Sequence, residues 1–168
     1  MLNLFAYTGG STLAAAAAGA HVVHVDSARN VVSWARRNAR QSGLAHAPIR
    51  WIVEDARTFV QRELRRGNCY DAVILDPPSY GHGPRGEVWK MNHDLAQLLE
   101  SCAVLTRQEG QFMLLTCHSP GYGPAEVAAH LGNAMFGDCR IVVDGKRLTL
   151  PCQDGRRLPS GAVARWPR

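Results

Sequence analysis

Four short apolar runs in the first half of the chain each end at a residue able to bind or react. Tyr7-Thr8-Gly9-Gly10 follows LNLFA, Asp26 closes HVVHVD, Asp55 follows IRWIVE, and Asp76 closes YDAVILD. Glycines let a backbone approach a ligand closely and take dihedrals closed to other residues. A carboxylate ending the second strand of such a pattern accepts both hydroxyls of a ribose. The set therefore suits an adenosine cofactor. Taken singly, each acid reads equally as a solvated loop residue, and Gly9-Gly10 as a plain strand-to-helix turn. It is their succession along one edge that points to a site. A nicotinamide dinucleotide stays open on these grounds, although the turn is not the G-x-G-x-x-G that seats a pyrophosphate on a helix N-terminus. S-adenosylmethionine carries no phosphate and needs no such cradle.

The elements that must position these residues alternate in type. Leu2–Ala6 reads as a strand and Ser11–Ala18 as a helix, with Ser11 or Thr12 as its cap. HVVHVD is a second strand. The helix in SARNVVSWARRNARQSGL opens with Ser27 as cap, places Val31, Trp34, Ala35 and Asn38 on one face, and stops at Gly43. IRWIVED, YDAVILD and QFMLLTC follow as strands, with helices in ARTFVQRELRRG, HDLAQLLESCAVLT and PAEVAAHLGNAMF. This alternation predicts an α/β fold, Rossmann-like and doubly wound, with a mostly parallel sheet. In the tail, Asp144-Gly145 between two apolar runs signals an antiparallel hairpin, with GAVARW as a last strand.

With 168 residues, 46% of them hydrophobic and 20% charged, the chain fits one globular domain over 1–168. No apolar run reaches the roughly 18 residues of a membrane helix. The N-terminus lacks the basic start of a secretory signal, so a soluble cytoplasmic protein is the default. The five cysteines, Cys69, Cys102, Cys117, Cys139 and Cys152, form no C-x-x-C pair, which predicts free thiols and no metal centre. The net charge of +5 favours a polyanionic partner without requiring one.

NLFAYTGG, HVD and ED, followed by DPPSYG, resemble the class I S-adenosylmethionine-dependent methyltransferases, in particular the group similar to the ribosomal RNA large-subunit cytosine-C5 enzymes. The resemblance runs from the first residue to about Tyr122 and is looser through the tail. It implies S-adenosylmethionine as cofactor, with Phe5, Tyr7, Gly9 and Ser11 around its methionine part. It also implies that Asp26 takes the ribose hydroxyls with Ser27 beside it, and that Asp55 and Ala56 border the adenine. The partner it implies is RNA, first of all ribosomal RNA. Members of the group carry further sequence before this first strand, often an RNA-binding module, so the expectation is a catalytic core without that extension.

In LDPPSYGHGPRGEVWK two prolines restrict the backbone around Asp76. That rigidity suits methyl transfer, whose cost is mainly one of alignment. Asp76 has the chemistry to bind a ring nitrogen or exocyclic amine of a base, and Tyr80 to stack on it. His82, Arg85 and Lys90 among glycines read either as a flexible basic lip over a phosphodiester or as a solvated loop. The arginine-dense helices read as solvated faces. Thr116-Cys117 ends the fifth strand where the C5 enzymes carry their nucleophile. In those enzymes a thiolate adds to C6 of cytosine so that C5 becomes able to take the methyl group. Simple burial of Cys117 is the other reading, with the methyl group passing to another RNA atom or a small molecule. A remnant that binds cofactor and RNA without catalysis is the reading from a different class.

Overall fold

The computed structural model describes residues 1–106, 110–137 and 143–167. Its centre is a seven-stranded sheet in the order β3-β2-β1-β4-β7-β9-β8. The parallel strands are β1 (Leu2–Leu4), β2 (Val22–Asp26), β3 (Ile49–Val53), β4 (Ala72–Leu75) and β7 (Phe112–Cys117). β8 (Asp144–Pro151) and β9 (Arg157–Trp166) complete one edge as an antiparallel hairpin. Right-handed crossovers place α1 (Gly10–Ala17) and α2 (Arg29–Gln41) on one face, because both run outward from the central β1. α3 (Ala56–Arg65), α4 (Met91–Thr106) and α5 (Pro124–Phe136) return on the other. The chain reverses direction at β1, and the carboxyl ends of β1, β2, β3 and β4 all open on that edge of the sheet.

Strand periodicity divides the load between the faces. Leu2, Leu4, Val73, Leu75, Met113 and Leu115 are fully buried and share one core with Phe59, Leu95 and Leu99 of the helices. The opposite face of β1 and β2 carries Asn3 and His24, both buried beneath α1. Asn3 Nδ2 donates to Thr12 Oγ1 at 2.9 Å, and Thr12 lies 2.9 Å from His24 Nδ1. The Thr12 hydroxyl thus joins Asn3 and His24 beneath the helix, and the other ring nitrogen of His24, Nε2, is buried without a partner.

Several local expectations shift by a residue or more. The left-handed Gly9 (φ 92°), not Ser11 or Thr12, stands at the cap of α1, and Thr12 is turned inward to Asn3 and His24. The α2 cap is Ala28 rather than Ser27, because the Asp26 carboxylate already accepts the Ala28 N–H at 2.9 Å. That helix buries Val32, Ala35 and Ala39, which leaves Trp34 48% exposed and Asn38 at the margin. Asp144-Gly145 lies at the start of β8, and the hairpin turns instead between Pro151 and Arg157. Cys139 lies outside the described residues; Cys102, Cys117 and Cys152 are free thiols. No helix among the described residues is long and apolar enough to cross a membrane.

Burial, aided by the charge of Arg36, pushes His24 down from 6.5 to about 4. Between those values the unfolded chain binds a proton that the folded protein refuses, so stability falls as pH drops through that window and is flat above it. The full loss is ~3 kcal/mol, since each tenfold drop in proton affinity on folding is worth about 1.4 kcal/mol. Urea unfolding near pH 7 and near pH 4.5 should show a steeper loss in wild type than in His24→Asn. Equal losses would remove His24 as the cause.

Candidate functional site

Asp26, at the end of β2, bridges two backbone segments. Its Oδ2 accepts the Tyr7 N–H at 2.9 Å, and its Oδ1 accepts the Ala28 N–H at the same distance. Phe5 (φ 53°) and Tyr7 (φ 46°) are both left-handed, a conformation that costs a side-chain-bearing residue roughly 1–2 kcal/mol. The Asp26 bond and an Ala6 N–H to Val25 carbonyl bond (3.1 Å) hold that turn in place. Asn38 adds a 3.0 Å bond to the Thr8 carbonyl. A Cβ on Gly9 would stand 3.2 Å from Ala35 Cβ, so the turn packs closely on α2. Each Asp26 oxygen keeps a further lone pair for a ligand hydroxyl.

A cleft of about 550 Å³ opens beside this turn, within the range of ligand pockets. Phe5, Tyr7, Asp26 and Ser27 line one part of it; Asp76, Pro77, Pro78, Ser79, His118, Ser119 and Pro120 line the other. A narrow branch of about 40 Å³ shares Phe5, Asp26, Ser27 and Pro78 with it and continues between Asp55, Ala56 and Trp89. Apolar surfaces from Phe5, Ala56, Pro78 and Trp89 at one end and a carboxylate with spare acceptor capacity in the middle are what a purine riboside needs. Among the described residues no cluster of three His, Cys, Asp or Glu could hold a metal ion.

Not every residue singled out in the sequence reaches this cleft. Gly9 and Ser11 do not line it, Ser11 being exposed on the first turn of α1. Asp55 lines the narrow branch but also caps α3, accepting Thr58 N–H at 3.0 Å and Thr58 Oγ1 at 3.2 Å. Tyr80 stands 52% exposed outside the cleft, its hydroxyl 3.2 Å from His82 Nε2. Asp76 is on the cleft wall, and its Oδ1 accepts the Thr116 hydroxyl at 2.7 Å with His118 Nε2 3.6 Å away. Cys117 alternates to the opposite face of β7, where it is fully buried, with its Sγ 3.8 Å from Met91 Sδ. Burial pushes its thiol up, and the nearby Asp76 charge adds to this, against a 3.4 Å bond from the Ser119 N–H.

The segment after Ser79 is structured. β5 (Tyr80–His82) and β6 (Val88–Lys90) form a small antiparallel hairpin. Arg85 is spent within the protein, on Glu54 at 2.7 Å and Glu87 at 3.1 Å, so it is no free lip cation. Arg57 ties the same hairpin to α4 through the Val88 carbonyl and Asp94, both at 2.8 Å. Trp89, 3% exposed, donates its indole N–H to the Pro78 carbonyl at 2.7 Å and packs 4.9 Å from the Phe5 ring. Glu54 and Trp89 were not legible as site residues: the first stood beside the more conspicuous Asp55, and the second in a stretch whose glycines suggested an open loop.

Residues 1–132 match the sequence profile of a family described as S-adenosylmethionine-dependent methyltransferase. The ribosomal RNA large subunit methyltransferase K/L of Pseudoalteromonas atlantica is 34% identical over 115 residues, and that of Hahella chejuensis 34% over 119. These alignments take in 67% and 70% of this chain but only 16% of each relative. A crystal structure of the S-adenosylmethionine-dependent methyltransferase from Agrobacterium tumefaciens superposes with a TM-score of 0.91 at 39% identity, covering 98% of this chain and 54% of the other.

Trp89→Phe keeps an aromatic ring but removes the N–H that holds Pro78 together with part of the buried indole. The expected loss in urea unfolding is about 2 kcal/mol, of which the lost bond accounts for about 0.5–1.5 and the cavity for the rest. No loss would mean that the Pro78 carbonyl does not depend on the indole.

Proposed function

The chain belongs to the S-adenosylmethionine-dependent methyltransferase family, and within it we propose that the domain methylates a nitrogen of a base in ribosomal RNA, with Asp76 holding the acceptor. Asp76 carries this reading. Its carboxylate is about half exposed on the same cleft as Asp26, braced by Thr116 and followed by two prolines. A rigid acceptor group of that kind suits an N–H-bearing ring or amine. The names of the relatives and the net charge of +5 support RNA as the substrate class.

Phe5, Tyr7, Asp26, Ser27, Asp55 and Ala56 would hold the cofactor, with Gly9 and Ser11 acting from behind the turn. When bound, S-adenosylmethionine supplies an electrophilic methyl group on a sulfonium. Asp76 accepts the hydrogen bond of the acceptor N–H, keeps the nitrogen lone pair directed into the cleft and is placed to take the released proton. Tyr80, exposed next to Ser79, offers a ring on which the base can stack. A nitrogen acceptor needs no covalent help, which agrees with the buried setting of Cys117. The thiolate route to cytosine C5 is the second reading; the Ser119 N–H aimed at the sulfur is the observation in its favour.

Asp26 and Asp76 should separate in their effects. Asp26→Ala should weaken S-adenosylhomocysteine binding by about 1.5–3 kcal/mol in calorimetry, the worth of charge-assisted hydrogen bonds. Asp76→Ala should leave that affinity nearly unchanged while lowering turnover on undermethylated ribosomal RNA by on the order of a hundredfold or more. Equal losses of binding and turnover in Asp76→Ala would refute the acceptor role.

Cys117→Ala and Cys117→Ser distinguish the two acceptor atoms. Both should keep most of the turnover, and RNA containing 5-fluorocytidine should leave no covalent adduct with wild type in the presence of the methyl donor. Loss of turnover together with a trapped adduct in wild type would establish the thiolate route instead.

A further inference from the structure

A second hollow, of about 460 Å³, lies against the cleft between the loop after β7 and the β8–β9 hairpin. Ser119 and Pro120 line both hollows, so the two adjoin at that loop. The loop contributes Tyr122 and Pro124 to the second hollow, and the hairpin contributes Arg147, Pro159 and Gly161. Gly161 (φ 83°) allows this apposition, since a Cβ there would collide with the Cys117 carbonyl and the His118 ring. The hairpin thus forms a wall seated directly on the strand end that carries Cys117 and His118.

The charges along this wall are not equivalent. Lys146 pairs with Asp144 at 3.5 Å, Arg156 with Asp154 at 2.6 Å, and Arg157 reaches the Thr149 hydroxyl at 3.3 Å. Arg147 is exposed, lines the hollow and, among the described residues, has no hydrogen-bond or carboxylate partner. Glu126 also lines it, but one of its oxygens accepts the Gly123 N–H at 3.0 Å and is committed to the start of α5. An unpartnered guanidinium is five donors in a planar fork, the geometry that matches a phosphate. The hollow's volume falls within the roughly 300–1,000 Å³ of small-molecule sites. It adjoins the side of the cleft bearing Asp76, not the side bearing Asp26.

We propose that this groove seats the nucleotide flanking the target nucleotide of an RNA strand, with Arg147 on its phosphodiester. The inference rests on RNA being the acceptor. Phosphate contacts of this kind set register and orientation rather than sequence, so the groove would feed the target base toward Asp76 and leave base selection to the cleft.

The test is fluorescence anisotropy with a labelled single-stranded RNA of mixed sequence, about 12 nucleotides long, against the 168-residue chain saturated with S-adenosylhomocysteine, over a series of salt concentrations. Arg147→Glu should weaken binding by about tenfold and flatten the log–log salt dependence by about 0.7, the share of one single-strand phosphate. Arg147→Lys should restore most of the affinity, and Lys146→Glu, whose parent residue is already paired, should change it by less than about twofold. Affinity for S-adenosylhomocysteine should be the same in all of these variants. Wild-type affinity and an unchanged salt slope in Arg147→Glu would overturn the groove and leave the RNA reading standing. Failure of the wild-type chain to bind this RNA at any salt concentration would overturn the RNA reading, and the groove with it.

Discussion

The site depends on one carboxylate holding two pieces of backbone together. Asp26 stands at the end of β2 and accepts N–H groups from Tyr7, in the turn after β1, and from Ala28, at the start of α2. Without it, the left-handed turn through Phe5 and Tyr7 would lose the side-chain bond to Tyr7 that helps offset its backbone cost. The register of β1 on β2, Leu4 opposite Val25, brings that turn level with the carboxylate. Sheet pairing, turn conformation and ligand-binding capacity thus meet at one side chain, which explains why an acid ends this strand.

The other half of the cleft is built in a similar way from rigid parts. Thr116 braces Asp76 from the neighbouring strand, two prolines stiffen the exit from β4, and Trp89 holds the second proline's carbonyl. The β5–β6 hairpin that carries Trp89 is itself held by Arg57 and by the pairing of Arg85 with Glu54. Its Arg85 is therefore spent on structure, whereas Arg147, on the wall of the adjoining hollow, has no ion-pair partner among the described residues. Steering by the net positive charge is a long-range effect, whereas these short bonds decide where a substrate comes to rest.

Much of this was legible in the sequence, because strand-end acids and β-branched runs are local signals. The parallel sheet and the gathering of Asp26, Asp55 and Asp76 at one edge follow from alternation and crossover handedness. Features set by tertiary contact were not legible. Val32 rather than Val31 faces the sheet because α2 is phased by the Asp26 bond to Ala28, so Trp34 is turned outward. The terminal hairpin turns beyond Pro151, since Asp144-Gly145 is drawn into β8 opposite Arg165 and Ala164. Whether Cys117 faces the cleft or the core hangs on a one-residue alternation in β7, which places Thr116 toward Asp76 and the thiol toward Met91.

The most direct measurement of this account is a crystal structure of the chain with S-adenosylhomocysteine. It should show both ribose hydroxyls on the Asp26 carboxylate while the Tyr7 and Ala28 bonds persist, with the adenine between Phe5 and Ala56 and Asp76 left free of the ligand. Ribose hydroxyls bound elsewhere, or an Asp26 that keeps only its two backbone bonds, would contradict the central claim that this one carboxylate both shapes the turn and holds the cofactor.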